Sequence, residues 1–428
     1  MNVLHVTNTD LAGGRFTGFY MQRALGAEHQ VEMAVWTRTS ASAHVHQLPP
    51  GNSVLHALAG AVGGIADRAG FDGLLGTSGW LLPNAAFFRD ADVVHLHLIH
   101  SRANFSILSL PSLSRQKPLV WTLHDPWATT GGCEHSFECS KWLTGCATPC
   151  PHPRRRTALF ARSAPQWHWK VKERVYKETD VTLIVASHWM EQRVARSPLM
   201  GHLPRHVIPF GIDLALFKPI DKAEAKRGLG ISAHRQVIAF RDPGLQTDRF
   251  KGMQWLVDAL RSYQPDRPTT LVILQGGKGF ADLSPKYDIR TPGWIDGGEL
   301  ATVLAAADVF VMPSIQESFG LMAVEAMASG TPVIVFDGTA LPEVIAAPIG
   351  GLSVPSMNSN ALARAIKDLL AEDEFRSRIG VQARRLAEQE YSLALYGQRH
   401  LVVYDEVMKR HAERARPVAE KNQLPLGQ

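Results

Sequence analysis

Two glutamates, Glu317 and Glu325, stand eight positions apart in the stretch DVFVMPSIQESFGLMAVEAMASGTPVIVF, Asp308 to Phe336. A carboxylate that faces a phosphate is repelled. One that faces hydroxyl groups accepts hydrogen bonds, so the pair suits a sugar or a ribose. Between them, Ser318, Phe319, Gly320 and Leu321 lie where a helix begins, and free amides at a helix start suit an anion, most simply a diphosphate. His124 follows an apolar run, at the strand end where ligands of open sheets bind. Four cysteines, Cys133, Cys139, Cys146 and Cys150, fall within eighteen residues, and the chain has no others.

The elements that must position these groups are legible from composition. Val309-Phe310-Val311-Met312 reads as a strand ended by Pro313 and Ser314. Ser318 is an N-cap candidate for a helix from about Phe319. Leu321, Val324 and Ala328 give that helix an apolar face. Gly330 stands at its C-terminal cap, and Pro332 stops it. Thr331 to Phe336 is the next strand, which completes a unit of an open parallel sheet. Asn2 to Thr7 is a strand, followed by a loop with Gly13 and Gly14 and a helix from Phe19 to Leu25. Glycine there lets backbone approach a ligand, although the G-x-G-x-x-G of a dinucleotide site is missing. Further strands are Gln30 to Trp36, Ala91 to His97 and Pro118 to Leu123. His95 and His97 share a strand face with His100 nearby, a spacing compatible with metal or with polar strand ends. Asp180 to Ser187 is expected as the last strand of the first sheet and Gln236 to Arg241 as the first of the second. Lys251-Gly252 opens a helix to about Ser262. Helices are expected at Val54 to Ala66, Glu299 to Ala307, Asn360 to Leu370, Glu372 to Gln389 and Tyr391 to His411, and disorder at 416–428.

The string from Glu317-Ser318-Phe319-Gly320 through Glu325 to Gly330-Thr331-Pro332-Val333-Ile334 resembles the E-x7-E signature of retaining glycosyltransferases of family 4. The resemblance implies an α/β chain of GT-B fold, with two Rossmann-like domains facing an interdomain cleft. It implies that Glu317 contacts the transferred sugar, that Glu325 contacts the ribose of a nucleotide-sugar, and that amides from Phe319 to Leu321 hold the diphosphate. In that family an arginine and a lysine ahead of a KG helix grip the diphosphate. Lys251 matches the lysine, and Arg241 is preferred to Arg249 because strand ends face the crevice. His124 matches a histidine near the donor sugar, Gly13 and Gly14 the glycine loop, and Trp294 a position near the base. Val207 to Asp213 resembles the interdomain entry P-N-G-I-D, with Phe210 in place of the asparagine.

At 428 residues the chain can hold two domains. The expected division is 1–205 on the acceptor side, with a Cys-rich insertion at 131–153, then 206–390 for the nucleotide-sugar, and 391–428 returning to the first domain. Hydrophobic residues at 45% and charged residues at 20% fit a soluble globular chain. No apolar run of about eighteen residues predicts a membrane span. The start reads directly as a strand, so a cytoplasmic protein is expected. A formal charge of +5 fits a phosphate-bearing ligand or an anionic membrane surface. The cysteine spacing C-x5-C-x6-C-x3-C is compatible with a closed structural zinc site, with disulfides or free thiols, and with an iron–sulfur cluster. The insertion also resembles one found in bacterial transferases that build surface polysaccharides. His152 to Lys177, basic with Trp167 and Trp169, reads as a membrane-interface segment peripheral at the inner face, as a nucleic-acid surface, or as a plain solvated helix. The acceptor implied by the resemblance favours membrane over nucleic acid.

The expected activity is retaining transfer of a sugar from an NDP-sugar to a glycan or lipid-linked saccharide, with no cofactor for the catalysis. The competing readings are a non-catalytic nucleotide-sugar or glycan-binding protein, and an epimerase on the same scaffold.

Overall fold

Strands buried on both faces read as unbroken apolar runs, because helices cover both sides of a parallel sheet. The computed structural model describes residues 1–10, 18–26, 28–48, 53–69, 73–100, 104–147, 149–151, 164–244 and 249–415. They divide into two units. One comprises Met1–Ala186, Glu191–Ile208 and Tyr396–Gln428, and the other Ser187–Met190 and Pro209–Leu395.

The first unit carries β1 (Asn2–Thr9), β2 (Gln30–Thr37), β3 (Val45–Gln47), β4 (Val93–Leu96), β5 (Leu119–Leu123), β6 (Thr182–Val185) and β7 (Arg205–Val207). They form one sheet in the order β3-β2-β1-β4-β5-β6-β7, and every pair is parallel. The order reverses between β1 and β4. The sheet therefore does not end at β6, as the apolar run at 180–187 implied. The three residues of β7 are only half-buried, so they leave no apolar run to read. The segment at 40–90 holds β3 and helices that include Ser53–Ala69.

The second unit carries β8 (Gln236–Arg241), β9 (Thr269–Leu274), β10 (Asp288–Gly293), β11 (Val309–Met312), β12 (Val333–Phe336) and β13 (Gly351–Val354). Their order is β10-β9-β8-β11-β12-β13, again all parallel, and it reverses between β8 and β11. Helix Met253–Ser262 buries Met253, Leu256, Val257 and Leu260, the spacing of one helical face. Helix Ser359–Ala371, capped by Asn358 Oδ1 accepting from Ala361 N at 2.9 Å, adds Leu362, Ile366 and Leu369 to the same core.

A buried carboxylate anchors the start of β11. Asp308 Oδ2 accepts from Lys226 Nζ and from Val237 N, each at 2.8 Å, and Arg376 Nε lies 3.6 Å from Oδ1. Lys226 and Asp308 are both almost fully buried. Their value lies in being paired: removal of one member of such a pair leaves an uncompensated buried charge, at a cost of about 3–5 kcal/mol. The interaction fixes the start of the strand that leads to Glu317.

Candidate functional site

In open parallel sheets, ligands bind beyond the carboxyl ends of strands where the strand order reverses. In the second unit that place lies between β8 and β11. The chain after β8 leads to Lys251 and the chain after β11 leads to Glu317, and Lys251 Nζ donates to Glu317 Oε2 at 2.7 Å. Both side chains are partly open to solvent. The two loops are also tied by Ile315 N donating to Phe250 O at 2.8 Å. Gly252 closes the approach: its φ is +69°, and a Cβ there would run into Pro313 O.

The helix after this loop is Leu321–Ala328, which starts two residues later than the expected Phe319. Gly320 is its N-cap, with φ +98°, and no side chain caps it. A Cβ at Gly320 would meet Leu341, so glycine alone fits this turn. Ser318 O instead accepts from Ser187 Oγ at 2.7 Å, and Glu317 O from Ala340 N at 3.1 Å. The amides of Leu321 and Met322 have no helical acceptor behind them, whereas Ala323 N donates to Gly320 O at 2.9 Å. Phe319 is buried and stands edge-on to Phe210, with centroids 5.1 Å apart, so only its backbone is placed for a ligand. The phenylalanine at 210 thus has a packing partner where the related motif has an asparagine. Glu325 is fully buried in the same helix.

Arg241 ends β8. Its Nε donates to Gln275 Oε1 at 2.6 Å, and its guanidinium lies 5.1 Å from the Trp294 ring centroid. Trp294 is 58% exposed, which leaves its ring open for stacking. The structure therefore joins Lys251 to Glu317 and Arg241 to Trp294. Gly13 and Gly14 lie outside the described residues.

The first unit has a second set of groups at its own reversal point. The parallel register places His5 of β1 against His95 of β4, with His97 two residues on along β4. His5 Nδ1 lies 2.7 Å from His97 Nε2, and His97 Nδ1 lies 3.1 Å from His124 Nε2. His95 is held by Tyr404 Oη and Thr122 Oγ1, each at 2.7 Å. His5, His95 and His97 bring ring nitrogens within 4.8 Å of one another. Both nitrogens of His95 and of His97 already have partners, so these rings stand as a hydrogen-bonded series. His100 does not join them. It pairs with Asp125 at 2.9 Å and stacks on Trp127 at 4.5 Å. His5 and His400 are missed by sequence reading, since only tertiary register brings residues so far apart in the chain to one spot.

Burial holds these imidazoles neutral. It lowers His5 and His124 to about 3 and His400 to about 4, and holds His95 and His97 well below the ordinary value. Burial also pushes the Asp125 carboxyl up, but His100 and the Trp127 amide outweigh it and hold the group at about 2.

Among the described residues, no three of Cys133, Cys139, Cys146 and Cys150 bring their sulfurs within 4.8 Å of one another. Cys146 Sγ accepts from Gly131 N at 3.2 Å, and burial pushes its thiol up. Cys133, Cys139 and Cys146 lie near Arg193, whose guanidinium is 4.2 Å from the Trp142 ring. One expectation needs correction: the basic segment is not one solvated face. Lys172 is buried, donating to Trp127 O at 2.6 Å and to Thr130 O at 3.0 Å. Trp169 donates to Trp142 O. Residues 152–163, which include Arg154, Arg155, Arg156 and Arg162, lie outside the described residues.

Comparison with known proteins places this geometry in a class. Residues 20–216 match the model described as Glycosyltransferase Family 4, and residues 244–372 match Glycosyl transferases group 1. A D-inositol 3-phosphate glycosyltransferase of Jonesia denitrificans is 37% identical over 203 residues, 43% of this chain and 47% of that protein. The chain spans about half the length of the first curated relatives it matches. A protein of the same name from Actinosynnema mirum is 27% identical over 94% of this chain and 96% of its own. Among solved structures, Anabaena HepE in complex with UDP and glucose has a TM-score of 0.65 at 16% identity, covering 95% of this chain and 99% of that one. The fold is GT-B, an α/β architecture of two parallel sheets. The first part of the chain is similar to glycosyltransferase family 4 domains and the second to glycosyl transferases group 1 domains.

The buried histidines set a pH dependence. Each has a folded pKa below its unfolded value near 6.5, so the unfolded chain binds its proton more readily. Their contribution is whole above 6.5 and is lost as pH falls towards 3–4, at about 1.4 kcal/mol per pH unit for each group. The midpoint of thermal unfolding should fall between about pH 7.5 and 5, and His400→Phe should flatten that slope. A constant midpoint over this range would contradict the neutral cluster.

Proposed function

We propose that the chain is a retaining glycosyltransferase that moves a sugar from a nucleoside diphosphate donor to a hydroxyl of a glycan or lipid-linked saccharide. The observation that carries this reading is the Lys251–Glu317 pair at the reversal point of the second sheet, beside a helix start with free amides. A cation there meets the diphosphate, and the carboxylate beside it accepts from sugar hydroxyls. Trp294 with Arg241 over its ring offers the base a stacking face. Glu325 takes the ribose hydroxyls once the nucleotide opens a way to it.

The bond between the anomeric carbon and the diphosphate oxygen breaks. The acceptor oxygen bonds to that carbon on the same face, and its proton passes to the departing diphosphate. Lys251, Arg241 and the amides of Leu321 and Met322 stabilise the charge that develops. The structure relative that binds UDP makes UDP-sugars the first donors to try. The relatives named for D-inositol 3-phosphate add a phosphorylated polyol to the acceptors worth assaying. The site lies at the inner side of the cell in this reading, and Cys133, Cys139, Cys146 and Cys150, all free thiols, are the residues that would hold a structural zinc ion.

An anionic membrane is the proposed surface for a lipid-linked acceptor. Helix Ser53–Ala69 exposes Val54, Leu58, Val62 and Ile65, spaced along one face. The chain should sediment with anionic vesicles, and Leu58→Glu should weaken that association. Equal binding by both proteins would remove this surface from the proposal.

For the donor site, Lys251→Ala should lower kcat/KM for transfer by about 10²–10³-fold. Glu325→Ala should raise the donor dissociation constant, read by calorimetry. Donor affinity unchanged in both variants would sink the assignment.

A further inference from the structure

At the carboxyl end of β9 the chain makes a turn that few side chains adopt. Gln275 has φ +78°, in the left-handed region. An L side chain is disfavoured there, whereas glycine would sit without strain. The surroundings hold the turn in place. Gln275 N donates to Gly293 O at 2.7 Å, which ties it to the end of β10. Gly277 N donates to Asp242 Oδ2 at 2.8 Å, and Gly244 N to Asp242 Oδ1 at 3.0 Å. The same turn is thereby tied to the loop after β8. Strain kept at such a place points to a use for the side chain.

That side chain has one orientation. Arg241 Nε donates to Gln275 Oε1 at 2.6 Å. A guanidinium has donors only, so the amide oxygen must face it and the amide nitrogen must face away. Gln275 is exposed, and among the described residues its Nε2 has no hydrogen-bond partner. The guanidinium that turns the amide also lies 5.1 Å from the Trp294 ring centroid. One arginine therefore brings an exposed indole and an amide with two unspent N–H groups to one place, at the ends of β8, β9 and β10.

We propose that Gln275 is a specificity-determining residue for the base of the nucleotide donor. With the base stacked at Trp294, the amide donates to an exocyclic keto oxygen, the O4 of uracil or the O6 of guanine. Cytosine and adenine carry an amino group at the matching ring position. That group is itself a donor and leaves the amide unpaired. A site built to hydrogen-bond one group rejects the analogue that lacks it, because its own polar group then has no partner. The base at Trp294 rests on the transferase reading above. A glycine at the turn would relax it and lose the donor.

Calorimetry on the full chain with UDP, CDP, GDP and ADP tests this without any assay of transfer. UDP and CDP form a pyrimidine pair, and GDP and ADP a purine pair, each of nearly equal size. Within the pair that binds more tightly, the keto member should bind about tenfold better than the amino member, the effect of one hydrogen bond. Gln275→Glu keeps an oxygen for Arg241 but has no N–H, so that ratio should fall to about one or below. Gln275→Gly should also bring it to about one, with a thermal midpoint no lower than the parent's, which separates lost recognition from a folding defect. A ratio of about one in the parent, or the parent's ratio kept in Gln275→Glu, would overturn the inference and leave the donor site standing. Failure of the donor-site reading looks different: folded parent protein binds none of the four nucleotides, and both readings fall.

Discussion

A parallel sheet that reverses its strand order sends the loops of two adjacent strands apart, and the gap between them has to be filled. Both units face this constraint, between β1 and β4 and between β8 and β11. The second unit fills its gap with ions. Lys251 and Glu317 come from the two diverging loops and meet at 2.7 Å, each partly open to solvent. The pair costs less to open there than one closed off from water would. A diphosphate can take the lysine while the carboxylate turns to hydroxyls. Asp308 shows the contrast. It is equally charged but buried with Lys226, and it serves to hold β11 in register rather than to meet a ligand.

The first unit fills its gap with neutral rings. Five histidines, His5, His95, His97, His124 and His400, lie in or beside the sheet, and burial keeps them uncharged. Such a cluster is tolerable in a core because imidazoles pass hydrogen bonds to one another without net charge. It also links a residue at the strand end, His124, to the interior. Stability and site chemistry thus draw on the same rings, and acid that charges the core also disturbs the strand end.

Much of this was legible in the sequence, for physical reasons. β8 was read at its observed bounds because a run buried on both faces is continuously apolar. The spacing of Glu317 and Glu325, with Pro313 before and Gly330 after, marked the loop and helix correctly. Ser318 was misread as the cap because side-chain caps are common, whereas here Gly320 turns the chain with a positive φ that serine would resist. β7 was invisible because Arg205-His206-Val207 is short and half-buried. The histidine series was half seen: His95 and His97 share a strand, but His5 joins them only through parallel register and His400 only through the last helix. Lys172 looked like a surface cation, yet the Trp127 and Thr130 carbonyls take it into the interior. The cysteine spacing carried no geometric constraint strong enough to fix a site.

The most direct measurement is a thermal-shift screen of the purified protein against UDP-, GDP- and ADP-sugars. A donor supplied at about one hundred times its dissociation constant should add roughly 2.7 kcal/mol of apparent stability. The account predicts a clear shift with one nucleotide class, and a much smaller shift for the free sugar. Folded protein that responds to none of the three would contradict a diphosphate site at Lys251 and Glu317.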